Sequence, residues 1–143
     1  MVLVDTTVWI DFFAGHDTAQ VGALEKSLRD REDVCICGVI LTEVLQGIRT
    51  DSAYRRTKAR FARFLFLPMK PGTFVYAADL YRALRRRGIT IRKPIDCMIA
   101  AVAIENDVRL LHNDRDFDPI AEHCGLAVLD TDEESQPEDA TYG

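Results

Sequence analysis

Acidic side chains stand at four points of this chain where one fold can bring them together. They are Asp5, Glu43, Asp96 and the pair Asp114 and Asp116. Carboxylates that share a crevice repel one another, and a hard divalent cation such as Mg²⁺ or Mn²⁺ relieves that repulsion. Such a cation can activate water and stabilise the leaving oxygen of a phosphodiester. In the alternative interpretation each Asp caps a helix or a turn, and the spacing alone leaves both interpretations open.

The elements that must position these acids alternate between strands and helices. Short apolar runs predict strands at 2–4, 34–37, 65–69, 108–111 and 126–129. Apolar residues at helical spacing predict helices at 7–14, 21–28, 39–46, 51–65, 72–87, 94–106 and 116–123. This alternation predicts an α/β fold with a largely parallel, twisted sheet flanked by helices. Because ligands of open α/β sheets bind beyond the carboxyl ends of the strands, we expect the acids to converge there.

Length and composition predict one globular domain without a membrane segment. The chain has 143 residues, of which 48% are hydrophobic and 29% are charged, so it can build a core without disulfide staples. The longest stretch without a charge is 34–42, whereas a bilayer span needs roughly 20 apolar residues. The N-terminal apolar run lacks a basic start and is interrupted by Asp5 and Asp11, which argues against a signal peptide. We therefore expect a cytoplasmic protein.

The four cysteines are expected to be reduced thiols that pack as small hydrophobic side chains. Cys35 and Cys37 lie in an apolar run, and Cys97 and Cys124 lie in apolar helical contexts. The sequence has no CxxC pair and no companion histidine spacing of the kind that zinc sites use.

The formal net charge of −5 conceals an uneven distribution of charge. Residues 130–143 contain six acids and no Lys or Arg, which leaves 17 acids and 18 bases in residues 1–129. Twelve of the 18 bases fall in two segments, 49–63 and 82–93. Clustered cations on a nearly neutral body can contact a polyanion, although solvated helix faces give the same pattern. We expect one domain over 1–129 and an acidic, disordered tail over 130–143.

Four segments, taken in order and at their spacing, resemble the PIN-domain nucleases. They are 2–9 (VLVDTTVW), 41–44 (LTEV), 95–101 (IDCMIAA) and 110–117 (LLHNDRDF). The small size and the segment 87–96 (RGITIRKPID) look most like the VapC-type toxins of bacterial toxin–antitoxin modules. The resemblance covers about 1–129 and implies a PIN-like α/β domain. It also implies an endoribonuclease that depends on Mg²⁺ or Mn²⁺ and hydrolyses RNA phosphodiester bonds with metal-activated water.

The resemblance also assigns roles to the acids. Asp5, Glu43 and Asp96 match the three best-defined acids of the family, which hold one or two metal ions and carry catalysis. The fourth acid is either Asp114 or Asp116. Asp114 is favoured because it stands nearer the end of the predicted strand, and Asp116 is then free to cap the following helix.

Two polar positions beside the acids also follow from the resemblance. Thr7 matches a position that usually holds Ser or Thr, and its hydroxyl can orient Asp5 or a water bound to the metal. His112 departs from the family pattern, in which Thr or Ser is common. We expect His112 to be too isolated from other ligands to bind metal, and to be near enough to the site to touch a substrate phosphate.

The basic residues of 82–93 are candidates for contact with RNA. They are Arg85, Arg86, Arg87, Arg92 and Lys93. Cations of this kind can track a phosphate backbone. In the alternative interpretation, Arg85, Arg86 and Arg87 complement the negative end of their own helix.

The resemblance implies three partners besides RNA. VapC-like toxins are usually homodimers, and they pair with a small VapB-like antitoxin that binds operator DNA, so that the toxin meets DNA only through the antitoxin. We expect the antitoxin to point a cationic side chain at Asp5 and Asp96. We also expect exposed apolar positions around Val44 and Ile48 to receive its hydrophobic anchors.

Three other functions fit parts of the pattern. Phosphatases that form an aspartyl intermediate carry an Asp-x-Asp motif after the first strand, but this chain has Thr at position 7. A PIN-like module that only binds would lack some of the acids, and this chain has them all. A free-standing RNA-processing nuclease would keep the acids, but its expression would not be toxic.

Overall fold

In the part of the chain that the structure describes, the sheet has four parallel strands. A computed structural model describes residues 1–131, and its strands are β1 Val2–Val4, β2 Val34–Cys37, β3 Leu65–Leu67 and β4 Arg109–Leu111. Their order across the sheet is β3-β2-β1-β4, and each neighbouring pair is parallel. All four strands therefore present their carboxyl ends at one edge, which is the edge where the acids were expected.

Seven α-helices flank the sheet within the described residues. They are α1 Thr6–Phe13, α2 Ala19–Arg29, α3 Gly38–Gln46, α4 Asp51–Phe61, α5 Pro71–Arg86, α6 Pro94–Glu105 and α7 Asp118–Cys124, with a 3₁₀ turn at Arg115–Phe117 before α7. The predicted α/β class, with a parallel sheet flanked by helices, is confirmed. No helix among these residues is both long enough and apolar enough to cross a membrane.

Local sequence signals explain where most helices begin. The hydroxyl of Thr18 accepts a hydrogen bond from the Val21 amide at the start of α2, as threonine commonly does at a helix N-cap. Pro71 and Pro94 stand in the first turns of α5 and α6, where the missing amide proton of proline costs nothing. The start of α6 at Pro94 places Asp96, one of the acids singled out by the sequence, in the first turn of this helix.

The core lies between the sheet and α6, the most fully buried helix. Residues 99–103 of α6 are each at most 1% exposed, and α6 packs against α5, α3 and β4. The strands β1 and β2 are buried along their whole length. Cys35, Cys37 and Cys97 are buried free thiols, as expected, and the free thiol of Cys124 is half-buried.

Three predicted elements differ from the structure. The helix predicted at 51–65 is capped by Thr50 at its start and ends at Phe61. It ends four residues early because Phe64 turns to stack on Trp9. The strand predicted at 126–129 is reduced to one bridge between Leu110 and Val128. The helix predicted at 116–123 is a 3₁₀ turn followed by α7. The boundary predicted at 129 and the tail at 130–143 remain predictions, and residues 132–143 lie outside the described residues.

Candidate metal centre

The acids singled out by sequence lie at the carboxyl edge of the parallel sheet. Asp5 directly follows β1 and caps α1, and Asp114 follows β4 and caps the 3₁₀ turn. Glu43 lies on α3, the helix that follows β2. Asp96 reaches this edge from the first turn of α6. Four different elements therefore supply the acidic side chains.

Three carboxylates form a compact group, to which we refer as the acidic group. They belong to Asp96, Asp114 and Asp116, and one oxygen of each lies within 4.8 Å of the other two. Asp96 is 4% exposed, and its Oδ2 atom is buried without a hydrogen-bond partner among residues 1–131. A buried carboxylate oxygen without a partner is costly unless a cation or a proton neutralises it. An all-oxygen donor set with one orphaned oxygen fits a hard divalent cation such as Mg²⁺ or Mn²⁺.

The electrostatics of Asp96 follow from this environment. Burial raises the pKa of Asp96 to about 7, and the positive charge of Lys93 opposes the rise. The nearby carboxylates of Asp5, Asp114 and Asp116 raise the pKa further. Without a cation, the Asp96 carboxyl group is therefore only partly ionised near neutral pH. A divalent cation can take the place of that proton.

Thr7 holds Asp5 and joins it to the loop after β4. The Thr7 hydroxyl donates to Asp5 Oδ2 at 2.6 Å, and the Thr7 amide donates to the same atom at 3.1 Å. Burial raises the pKa of Asp5, and the two hydrogen bonds from Thr7 oppose that rise. The amide of Asn113 donates to the Thr7 hydroxyl oxygen at 3.1 Å. One hydroxyl thus fixes the orientation of Asp5 relative to the loop that carries Asp114.

Glu43 is held by a threonine that the sequence analysis missed. The Thr6 hydroxyl donates to Glu43 Oε1 at 2.9 Å, and Thr6 itself is buried. Burial raises the pKa of the Cys37 thiol, and the charges of Asp5 and Glu43 add to the rise, so both acids lie near that thiol. Glu43 is outside the acidic group formed within 4.8 Å. The signal in the sequence was that Asp5 is followed by two threonines, of which Thr6 is the first.

The loop after β4 is organised by its own hydrogen bonds. The Asp116 amide donates to Asp114 Oδ1 at 2.9 Å, so the cap expected of Asp116 is supplied by Asp114. The Asp114 amide donates to His112 Nδ1 at 3.1 Å, which leaves Nε2 as the protonated nitrogen of the neutral ring. Burial lowers the pKa of His112, and the neighbouring carboxylates oppose the effect. His112 therefore presents a neutral donor beside the acidic group.

Two of the five predicted basic residues contact the acidic group. Lys93 Nζ lies 2.9 Å from Asp114 Oδ2, and Arg92 Nη2 lies 3.3 Å from Asp116 Oδ2. Burial opposes ionisation of Asp114, but the hydrogen bonds from the Asp116 amide and from Lys93 prevail and lower its pKa. A polar cleft of about 720 Å³ lies here, lined in part by Arg92, His112 and Asp116.

The other three basic residues lie at the end of α5. Arg85, Arg86 and Arg87 are exposed, and the Arg85 guanidinium lies 5.7 Å from the ring centre of Tyr81 on the same helix. None of the three forms an ion pair with the acidic group in the part of the chain that the structure describes. A parallel α/β domain with such carboxylates at the carboxyl edge has the features of a hydrolase that uses a divalent cation on phosphate esters.

Comparisons with known proteins identify the family. The family model of the PIN domain matches residues 2–123. Ribonuclease VapC11 of Mycobacterium tuberculosis is 35% identical over 130 residues, which covers 88% of this chain and 96% of VapC11. The crystal structure of FitAcB from Neisseria gonorrhoeae gives a TM-score of 0.71 at 20% identity and covers 92% of this chain and 98% of that chain. VapBC2 from Rickettsia felis, whose crystal structure contains a DNA fragment from their promoter, gives a TM-score of 0.70 at 19% identity and covers 90% of this chain and 98% of that chain.

The chain belongs to the PIN-domain family and, within it, to the VapC ribonucleases. The resemblance inferred from four short sequence segments is thereby confirmed. The enzyme class predicted from it, an endoribonuclease, is that of this family. PIN nucleases generally depend on a divalent metal, and the acidic group is of a kind that can bind one.

Proposed function

We propose that this protein is the toxin of a toxin–antitoxin pair and an endoribonuclease that uses Mg²⁺ or Mn²⁺. The observation that carries the proposal is the buried Oδ2 of Asp96 within the acidic group, an atom to which no described residue forms a hydrogen bond. The relatives named VapC ribonucleases supply the substrate class. When bound, the cation activates water for attack on the phosphodiester and stabilises charge on the leaving oxygen. The products are a 5′-phosphate and a 3′-hydroxyl, and the cytoplasm, where RNA is abundant, is the site of action.

The residues of the site have separate tasks in this proposal. Asp5, Glu43, Asp96 and Asp114 hold one or two cations and are the catalytic set. Asp116 supports them, since its carboxylate lies within 4.8 Å of Asp96 and Asp114. Thr7 is a positioning residue, because its hydroxyl donates to Asp5 at 2.6 Å.

The test of the metal-dependent reaction is the cleavage of RNA by Asp96→Asn. This change keeps the shape of the side chain and removes the charge, so cleavage in Mn²⁺ should fall by at least about a hundredfold. Asp30→Asn, at an exposed position that ends α2, is the matched control and should keep full activity. Neither protein should hydrolyse p-nitrophenyl phosphate, which an aspartyl-phosphate phosphatase would accept. Full activity of Asp96→Asn in excess EDTA would contradict the proposal.

A second cleft suits the expected antitoxin. It has a volume of about 960 Å³ and lies between α1, α3 and α4, and Glu43 is one of its lining residues. Ile10 is 56% exposed and Phe13 is 43% exposed, and both line this cleft. Val44 and Ile48, around which we expected exposed anchor positions, both line this cleft, but Val44 itself is 4% exposed because it packs into the core. Ile10 and Phe13 therefore replace it as sites for hydrophobic anchors.

Charge at the rim of this cleft defines the partner further. Arg56, Arg60 and Arg63 of the α4 region line the cleft together with its apolar floor. We propose that a VapB-like antitoxin lays a segment with apolar and acidic residues here and points a cationic side chain at Asp5 and Asp96. Several similar solved structures are described as toxin–antitoxin or VapBC complexes. Operator DNA would then be bound by the antitoxin and not by this chain.

Growth of a bacterial host tests the toxin assignment. Expression of the protein alone should stop growth, whereas Asp96→Asn should not. Co-expression of the neighbouring small gene should restore growth. Ile10→Asp places a charge on the apolar floor, so it should remain toxic and resist the antitoxin. Normal growth with an active enzyme alone would favour a free-standing RNA-processing nuclease.

A homodimer is the remaining part of the proposal. The edge strand β3 and the start of α5 expose four apolar side chains: Leu65, Phe66, Phe74 and Val75. Phe66 and Phe74 also line one cleft of about 720 Å³, to which α3 contributes half of the lining residues. An exposed apolar patch on a sheet edge favours contact with another chain. We propose that a second copy covers it.

A further inference from the structure

Two cations next to α6 pair with carboxylates of the acidic group, and one of these carboxylates, that of Asp114, is assigned to a metal ion by the proposed function. Lys93 Nζ lies 2.9 Å from Asp114 Oδ2, and Arg92 Nη2 lies 3.3 Å from Asp116 Oδ2. Each of these carboxylates also contributes an oxygen to the acidic group that includes Asp96. The same carboxylates therefore have two competing kinds of positive partner.

The backbone of the 87–93 loop is anchored while the two cationic side chains stay exposed. Gly88 has a φ of +82° at the end of α5, Ile91 is 4% exposed, and Pro94 begins α6. The side chain of Arg92 is 80% exposed and that of Lys93 is 52% exposed. Exposed ion pairs of long side chains contribute little stability. Both cations can therefore leave their carboxylates and remain at the same rim.

We propose that Lys93 and Arg92 are counter-ions that the acidic group exchanges for a divalent cation, and that the exchange makes them contacts for RNA phosphate. The inference rests on the proposed metal-dependent ribonuclease. A carboxylate that ligates a divalent ion holds an ammonium or guanidinium group less strongly, because the two cations repel each other. Arg92 lines the polar cleft together with His112 and Asn113. The guanidinium group of Arg92 and the ammonium group of Lys93 both bind phosphate well. Metal and RNA therefore strengthen each other's binding.

The first test is the Mn²⁺ affinity of the full chain, measured by calorimetry. Lys93→Met removes the competing charge and keeps an aliphatic side chain, so its Mn²⁺ dissociation constant should be about threefold to tenfold lower than that of the wild type. Arg92→Met should change it in the same direction by less, since its ion pair is longer and more exposed. Lys26→Met, at an exposed position on α2, should leave it unchanged. Thermal melting in EDTA checks that each variant is folded.

The second test follows the amine of Lys93 itself. The chain contains four lysines, Lys26, Lys58, Lys70 and Lys93, so limited reductive methylation can be read at each by mass spectrometry. Mn²⁺ should raise the labelling rate of Lys93 severalfold, because the amine leaves its carboxylate partner. The rates at the other three lysines should not change.

The third test measures the coupling with a nucleic acid that is not cleaved. A short single-stranded DNA with a fluorescent label presents phosphates without the 2′-hydroxyl. Mn²⁺ should tighten its binding to the wild type about threefold more than its binding to Lys93→Met, since the variant has one releasable cation fewer.

The outcomes separate the inference from the proposed function. If the wild type binds no Mn²⁺, the proposed function fails and the inference fails with it. If the wild type binds Mn²⁺ but Lys93→Met binds it equally or more weakly, Lys93 supports Asp114 instead of competing for it, and the inference alone is overturned. The inference is overturned in the same way if Mn²⁺ does not change the labelling rate of Lys93. It is also overturned if Mn²⁺ tightens DNA binding equally in the wild type and in Lys93→Met.

Discussion

At the scale of single residues, burial and hydrogen bonding divide the acids into two kinds. Asp5 and Asp96 are 3% and 4% exposed, and burial raises the pKa of both. Hydrogen bonds from the Asp116 amide and from Lys93 lower the pKa of Asp114 against the effect of burial. Asp96 is therefore near its titration point at neutral pH, while Asp114 is already ionised. A divalent cation must displace a proton from Asp96 near neutral pH, whereas the Asp114 carboxylate is ionised before the cation binds.

The pKa of Asp96 predicts how the stability of the metal-free protein depends on pH. Its value of about 7 exceeds the ordinary value of about 3.9, so the folded state binds a proton that the unfolded state releases. This contribution to stability is fully present below about pH 4 and is lost as the pH rises to about 7 and above. From pH 5 to pH 8, it should reduce the free energy of unfolding by on the order of 2 kcal/mol.

Asp96→Asn should remove that part of the pH dependence. In EDTA at pH 8, the variant should therefore be more stable than the wild type, and the difference should shrink at pH 5. Excess Mg²⁺ should stabilise the wild type and leave the variant unchanged. Urea unfolding at both pH values measures all three effects. Equal pH profiles for the two proteins would show that Asp96 is not the group responsible.

The Thr7 hydroxyl provides a second prediction at this scale. Thr7→Val keeps the shape and removes the group that donates to Asp5 at 2.6 Å and accepts from Asn113 at 3.1 Å. The loss should cost about 1 kcal/mol of stability and reduce kcat for RNA cleavage at least about tenfold. Thr7→Ser keeps the hydroxyl and should restore most of kcat, which a purely structural role for the methyl group would not allow.

At the scale of elements, the short loop between α5 and α6 brings opposite charges to one place. Pro94 begins α6 and sets Asp96 in its first turn, and the two residues before Pro94 supply the cations that pair with the acidic group. The end of α5 carries Arg85 and Arg86 in its last turn. The same stretch of chain therefore supplies an acid, two cations for the site and a basic helix end.

The basic end of α5 is expected to bind RNA without contacting metal. Reversing the charge of Arg86 and Arg87 to Glu should weaken RNA binding and reduce the steepness of its salt dependence. It should leave Mn²⁺ affinity unchanged, since neither residue pairs with the acidic group within the described residues. The double variant should also lose about 1 kcal/mol of stability, because acids at a helix C-terminus oppose its dipole. If RNA binding changed neither with salt concentration nor with these substitutions, a basic groove at the end of α5 would be excluded.

At the scale of the whole molecule, three surfaces surround the sheet edge. The polar cleft includes Asp114 and Asp116, the apolar cleft between α1, α3 and α4 includes Glu43, and the apolar patch lies on β3 and α5. Glu43 lines the clefts on both sides of α3. A partner bound on either side of α3 would therefore contact Glu43, one of the acids that we propose to be catalytic.

A pair of substitutions separates the two apolar surfaces. Phe66→Asp should convert the proposed homodimer to a monomer, because it places a charge on a side chain that is 51% exposed in the single chain. Ile10→Asp should leave the dimer intact and weaken antitoxin binding. Light scattering coupled to size-exclusion chromatography measures the mass, and calorimetry measures antitoxin affinity. A dimer that survives Phe66→Asp would place the interface elsewhere.

The sequence alone predicted the order of the strands and helices along the chain and the family. Val2–Val4 and Val34–Cys37 are continuous apolar runs, as strands buried on both faces must be. Thr18 and Pro94 mark helix starts through chemistry that acts within one turn. The acids were also recognisable, since each stands after a strand or in the first turns of a helix. These signals act between residues that are close together in the chain, so they can be recognised from the sequence alone.

The tertiary structure alone decided which side chains meet. The ion pair of Lys93 with Asp114 and the bond of Thr6 to Glu43 join residues 21 and 37 positions apart, and no periodicity predicts such contacts. The early end of α4 and the reduction of 126–129 to one bridge depend on Trp9 and Leu110 of other elements. The pKa of Asp96 depends on burial beneath neighbouring elements. These properties arise from distances and burial that exist only once the chain has folded, because they are set by groups that the sequence places far apart.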